Sequence, residues 1–267
     1  MNDMSVRILG TRGSVPVSGG EYARYGGATT CVTVTLGGTT AVLDAGTGIL
    51  SLPAEALEQP KLALLLTHPH ADHLLGLPMC PYLMLPGRRL DIYAAVRDGR
   101  DAEAQVRRLI SPPLWPIGPE QFPAELVFHS LEGPLELGGL RVDAVEGVHP
   151  GGVSVLRLRG GGRTVVVATD CTLTEALRPR LLDFARDCDL LLCDGQYSPE
   201  EWPARAGFGH NCWEDAARFA RDCGAKAARI VHHDPTHGDG VLDAASRQLR
   251  EIYPLCGFAR EGERIAL

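Results

Sequence analysis

The stretch Leu62–Pro78, LALLLTHPHADHLLGLP, decides the fold. Its opening apolar run, Leu62 to Leu66, reads as a buried strand. His68, His70, Asp72 and His73 follow almost at once. Histidine and aspartate are costly beside a buried strand unless they pair or ligate an ion. In an extended turn His68 and His70 point the same way, because side chains alternate with period two. Asp72 and His73 open the next helical segment, where they can face a second ion. Imidazole and carboxylate together suit zinc, iron or manganese. The bland alternative is a solvated histidine-rich turn, but an HxHxDH pattern arises by chance in roughly one chain in a thousand or fewer.

One turn cannot complete two coordination spheres, so the remaining ligands are expected at the ends of later strands. His149 follows the strand that ends at Val145, Asp170 follows TVVVAT, and His232 follows ARIV. Each alone reads as an ordinary polar strand end; as a set they read as ligands. His233 is the rival to His232.

Around this centre the chain divides into short strands and helices. Val6–Leu9, Cys31–Leu36, Thr40–Asp44 and Leu62–Thr67 are strand candidates, with Gly37-Gly38 as a tight hairpin between the second and third. Leu140–Val145, Ser154–Arg159, Thr164–Thr169, Leu190–Cys193 and Arg229–Val231 repeat the theme. Helices are predicted over Leu74–Leu83, Arg97–Leu109, Leu173–Asp187 and Asn211–Cys223, the last with Asn211 and Glu214 spaced as a capping box. Strands in each half with helices between them predict two packed sheets covered by helices. The Pro-rich segment 111–123 reads as a loop, so residues 1–267 are taken as a single domain.

Composition narrows the function. The 267 residues carry a formal net charge of −7, with 45% hydrophobic and 22% charged residues. A diffuse acidic balance disfavours long nucleic acid as the main partner, since gripping phosphate backbones takes clustered Lys and Arg. No run of about eighteen apolar residues is available to span a bilayer, and the first residues lack the pattern of a secretory signal; the cytoplasm is the expected location. None of the eight cysteines pairs as CxxC, so they read as small buried hydrophobes of a reducing compartment. The glycines near the start do not follow GxGxxG, and a GxSxG nucleophile elbow is missing.

THPHADH, His149, the Thr169-Asp170 pair and the late HHDP resemble the metallo-β-lactamase superfamily, as do GTRGSVP at 10–16, YGGATTCV at 25–32 and LDAGTG at 43–48. The resemblance covers nearly the whole chain. It points to the branch containing tRNase Z, class II-like cyclic nucleotide phosphodiesterases and the phosphonate-pathway cyclic phosphodiesterase. It implies an α/β fold, a four-layer αββα sandwich, and two divalent ions, zinc first with manganese or iron as alternatives. By that resemblance one ion takes His68, His70 and His149, the other takes Asp72, His73 and His232, and Asp170 bridges them. Asp44 would orient the histidine loop without ligating.

Two ions about 3.5–4 Å apart can hold a hydroxide and clamp an in-line displacement, which suits a phosphodiester. The leaving alkoxide then needs a proton. His210, in GFGHNCWEDAARFA, resembles the His of the short His-Ser-Thr motif in the tRNase Z branch and is the candidate donor. With Asp72 it completes the expected catalytic pair. Asn211-Cys212 replace the Ser-Thr of that motif, and Ala28 replaces the common Asn of YGGNT. Arg12 is a candidate for neutralising phosphate. Trp115, in a lid-like loop, is a candidate for stacking a nucleobase, or else part of a cap over the core. The expected activity is hydrolysis of a small or cyclic nucleotide-like phosphodiester, with no membrane partner and a homodimer as a prior. Thioester or lactam hydrolysis on the same centre is the alternative, and tRNA 3′-end cleavage a weaker one.

Overall fold

The computed structural model describes residues 3–267. Six strands build the first sheet in chain order: β1 (Met4–Gly10), β2 (Cys31–Leu36), β3 (Thr39–Leu43), β4 (Lys61–Leu66), β5 (Arg89–Ala94) and β6 (Glu125–Ser130). The second sheet follows as β7 (Leu135–Leu137), β8 (Leu140–Gly147), β9 (Val153–Gly160), β10 (Arg163–Ala168), β11 (Leu190–Asp194), β12 (Ala228–Val231) and β13 (Cys256–Phe258). The last strand, β14 (Arg264–Ala266), returns to the first sheet and pairs antiparallel with β1.

Alternation within the strands sets the layers. Leu43, Ala63, Leu65, Val142, Leu156, Leu158, Val165 and Val167 meet in one buried cluster between the two sheets. Neighbouring residues point the other way. Val42, Leu62, Leu64 and Leu66 pack outward with Ala56 of α1 (Ala54–Leu57) and Ala102 and Val106 of α2 (Ala102–Arg107). On the far side, Val166 and Leu191 pack under α3 (Arg178–Phe184), α5 (Trp213–Asp222) and α6 (Asp239–Ile252), with short α4 (Trp202–Arg205) between α3 and α5 in sequence. The result is the expected αββα sandwich.

Local expectations fail in several places: α2 and α3 are shorter than the predicted Arg97–Leu109 and Leu173–Asp187. Leu74–Leu83 is not a helix but two 3-10 turns, Leu77–Met79 and Pro81–Met84, because Pro78 and Pro81 remove the amides that a continuous α-helix would use. Asn211 does not cap α5: the N-cap position is Cys212, with no side-chain bond. The Asn211 amide instead accepts from Leu173 N (2.8 Å) and donates to Cys171 O (2.7 Å), tying α5 to the loop after β10. α6 lies outside the predicted helices, although Leu242, Ala245 and Leu249 form its buried stripe at helical spacing.

Candidate functional site

Strand direction explains why distant ligand-type residues meet. β9 runs antiparallel to both β8 and β10, and β10, β11 and β12 are mutually parallel. The C-terminal ends of β8, β10, β11 and β12 therefore share one edge, and each is followed by a polar residue: His149, Asp170, Asp194 (the last of β11) and His232. In the first sheet β3 and β4 are parallel and deliver Asp44 and the His68–His73 turn. A hydrogen bond from Ser154 N to Thr67 O (3.0 Å) joins the two edges.

Two groups there fit the expected ligand sets, and a third, Asp170, Asp194, His210 and His232, overlaps the second. His68, His70 and His149 make one; Asp72, His73, Asp170 and His232 make the other, and within each the donor atoms lie within 4.8 Å of one another. Asp170 touches both. Its Oδ2 lies 3.0 Å from His232 Nε2, 3.7 Å from His68 Nε2 and 3.9 Å from His149 Nε2, and its Oδ1 lies 3.2 Å from His73 Nε2. That is the position of a bridging carboxylate. Of the seven, only His70 is exposed, so the cluster opens to solvent at that residue.

Hydrogen bonds on the outer side of each imidazole fix which nitrogen faces inward. His73 Nδ1 donates to Asp44 Oδ2 (2.8 Å). Thr67 donates to Asp44 through both its amide and its hydroxyl (2.8 Å each), and that hydroxyl lies 3.1 Å from His68 Nδ1, which donates to it. His149 Nδ1 donates to Gly209 O (3.0 Å). Each of the three rings thus turns its Nε2 toward the centre. Such outer bonds hold metal-ligating histidines in one tautomer and orientation. His68 Nε2 and His73 Nε2 are buried without any hydrogen-bond partner, so the donor set fits a pair of cations.

Charge gives the same answer. Burial pushes the His68 imidazole well below its ordinary range and lowers His70 and His149 as well, leaving them neutral. Burial opposes ionisation of Asp170, yet His232 and His73 hold its carboxyl well below the usual range. Asp72 is likewise depressed by His73 and His232 against its burial. His232 is lifted to about 10 by Asp170 and Asp72 despite its burial. Two buried carboxylates demand positive charge, which two divalent ions would supply.

The backbone is bent to make this fit. Asp44, Asp170 and His232 have φ of 59°, 52° and 63°, a region that costs L-residues roughly 1–3 kcal/mol each. The GTRGS loop closes the far wall: Ser14 N donates to Asp72 Oδ2 (2.8 Å), and a Cβ on Gly13 would lie 2.2 Å from the His232 ring. Gly209, with φ of 98°, is confined in the same way: a Cβ there would lie 2.3 Å from His149 Nδ1.

His210 stands over this centre. Its ring stacks on His232 with centroids 4.6 Å apart and meets His149 edge-on at 5.1 Å. Its Nδ1 bonds Asp194 Oδ2 (2.8 Å), while Asp194 Oδ1 accepts from Asn211 N (2.9 Å). Sequence reading missed Asp194. The available signal was its place at the end of LLLCD, the same kind of strand end that gave Asp170.

The remaining candidate residues lie outside both groups. Arg12 is fully buried, and its guanidinium donates to the backbone carbonyls of Gly26, Asp234 and His237 at 2.7–3.0 Å. It fastens loops together and is not presented to a phosphate. Trp115 is half-buried and packs against the core cluster that includes Ala102 and Val106 of α2, in keeping with the cap alternative. His233 lies outside both groups: its Nε2 donates to Ala259 O (2.9 Å) and its ring packs against Tyr25 and Phe258, while burial pulls its pKa down to about 3. Cys171, like all eight cysteines, is buried and free.

Known proteins share this frame. Residues 39–233 match the family model described as the beta-lactamase superfamily domain. Ribonuclease Z of Thermoplasma volcanium is 31% identical over 105 residues, 38% of this chain, and the match covers 33% of that relative's length. The metallo-beta-lactamase fold protein YhfI from Bacillus subtilis superposes with a TM-score of 0.75 at 19% identity, covering 100% of both chains. A diphosphatase from the PhnP family gives 0.71 at 19% identity, covering 98% of this chain and 97% of its own. With nearly three-quarters of its residues inside the family match and its ligand-type residues gathered at the sandwich edge, the chain belongs to the metallo-β-lactamase superfamily.

Proposed function

We propose that the protein is a metal-dependent hydrolase of a small phosphodiester, with zinc as the first candidate for both ions. The observation that carries the reading is the His210–Asp194 pair set directly over the His149 and His232 rings. His68, His70 and His149 would hold one ion, and Asp72, His73 and His232 the other, with Asp170 shared. Ions held there would supply Lewis-acid stabilisation of charge developing on phosphoryl oxygens. Hydrolysis of an ester with a poor leaving group also needs a proton at the departing oxygen. With Nδ1 tied to Asp194, His210 presents Nε2 as the donor. The family resemblance to Ribonuclease Z and to a PhnP-family diphosphatase supports phosphoryl chemistry. The formal net charge of −7 favours a small substrate over tRNA.

Hydrolysis of a cyclic nucleotide, whose leaving group is a ribose alkoxide, and of bis(p-nitrophenyl) phosphate, whose p-nitrophenolate leaves without a proton, by wild type and His210→Ala, each with its metals counted, tests this. The expected result is turnover of both by wild type and, at equal metal content, a loss of roughly a hundredfold or more on the cyclic nucleotide in the variant, with a much smaller loss on the activated ester. Equal loss on both, or none on either, would remove the donor role of His210, and no cleavage of either diester by metal-loaded wild type would point instead to thioester or lactam hydrolysis. Tight, salt-sensitive binding of tRNA in a gel shift would revive the endonuclease reading.

A further inference from the structure

A groove of about 340 Å³ begins at the exposed His70 and runs along Leu74 and Leu109 to Leu114. That volume lies in the range of small-molecule sites. Leu114 is 68% exposed, a large apolar side chain left in water at the mouth of the cluster. Two cations flank this apolar floor. Arg108 is exposed and makes no ion pair among the described residues, and Arg100 has only Asp98 at 4.0 Å. The third arginine of the wall, Arg97, is already committed to Glu146 (2.7 Å) and Ser154 (2.8 Å).

Gln105 lines the same groove and is 2% exposed. Its Nε2 donates to Ala95 O and Arg100 O (2.8 Å each), while its Oε1 is buried with no partner. An acceptor left unmatched in a buried position costs about 1–3 kcal/mol unless something donates to it.

We infer that this groove seats the substrate beyond its scissile phosphate: an apolar or planar body, an N–H or O–H donor facing Gln105, and a second anionic group between Arg100 and Arg108. The inference rests on the phosphodiesterase reading, because the groove starts at the open ligand His70. It gives the substrate class as a phosphodiester bearing a further negative charge, carboxylate or phosphate.

The test has a binding arm and a reaction arm. In the first, metal-loaded protein is titrated calorimetrically with phenyl phosphate and with 4-carboxyphenyl phosphate. Wild type is expected to bind the carboxylated probe about tenfold or more tightly. The Arg100→Ala/Arg108→Ala variant, altered only at solvent-facing side chains, should bind both alike, and Arg108→Glu should reverse the preference. Equal affinities in wild type, no binding of either probe, or a preference that survives in the double variant overturns the groove.

In the second arm, bis(p-nitrophenyl) phosphate is compared with 4-carboxyphenyl p-nitrophenyl phosphate. An arginine-dependent binding preference without cleavage of either diester leaves the groove standing and removes the phosphodiesterase reading. Cleavage of both with equal kcat/KM in wild type and double variant does the opposite.

Discussion

Thr67 has one hydroxyl and uses it twice, donating to Asp44 and accepting from His68. Thr67→Val keeps the shape and removes both bonds, so His68 loses its fixed orientation. Metal affinity is expected to fall roughly tenfold or more, measured by competition with a chelating dye. Unchanged affinity would mean that packing alone holds the ring. At this scale the ligands themselves were legible, because His68, His70, Asp72 and His73 sit within six residues and need only local geometry to converge. Asp194 was not legible, since its pairing with His210 depends on the chain folding back to β11 across a separation of sixteen positions that includes α4. Arg12 misled for a related reason. An arginine between glycines reads as exposed, and only the fold shows three carbonyls converging on its guanidinium.

Among the elements, β4, β5 and β6 are held by a buried carboxylate as well as by their ladders. Asp91 on β5 is fully buried and meets Arg89 at 2.9 Å, Lys61 of β4 at 3.2 Å and His129 of β6 at 2.5 Å. Burial opposes its charge, but Arg89, His129 and Lys61 together hold its pKa below the ordinary value. The stabilisation is therefore fully present above the unfolded-state value of about 3.9 and is lost as pH falls through the lower folded-state value. Asp91→Asn should cost about 1–3 kcal/mol at pH 7 in a urea titration, and the gap to wild type should close in acid. A gap that is constant with pH would show that the ion pairs are not its cause.

β1 to β4 and β8 to β12 were legible because apolar runs and alternation are local signals, whereas β5 carries Asp91 inside its run, β6 is only half-buried, and β7, β13 and β14 are three residues each. Eight or more residues of helix were harder. Pro78 and Pro81 broke the stretch after His73 into 3-10 turns. In α6, Asp239–Ile252, charged residues between Leu242, Ala245 and Leu249 hid a stripe that only packing against β13 makes plain.

For the whole molecule, the site is also the place where the two sheets are tied at their edge. Without cations, Asp72 and Asp170 would lie buried beside histidines that must take up protons. Chelation with EDTA should therefore lower Tm, and zinc should restore it. With metal in thousandfold excess over its dissociation constant, the stabilisation per site is about 4 kcal/mol. A Tm indifferent to chelator would mean that no ion is held in the native state. Gly13→Ala reaches the same centre from the opposite wall: the new Cβ would lie 2.2 Å from the His232 ring. Since the contact is a rigid ring, both Tm and metal content are expected to fall.

The most direct measurement is metal stoichiometry, by inductively coupled plasma mass spectrometry, on wild type and Asp170→Ala after dialysis against zinc. The expected result is two ions per wild-type chain and one or none in the variant, because Asp170 is the carboxylate that reaches both groups. A wild type without bound metal, or a variant that keeps both ions, would contradict it.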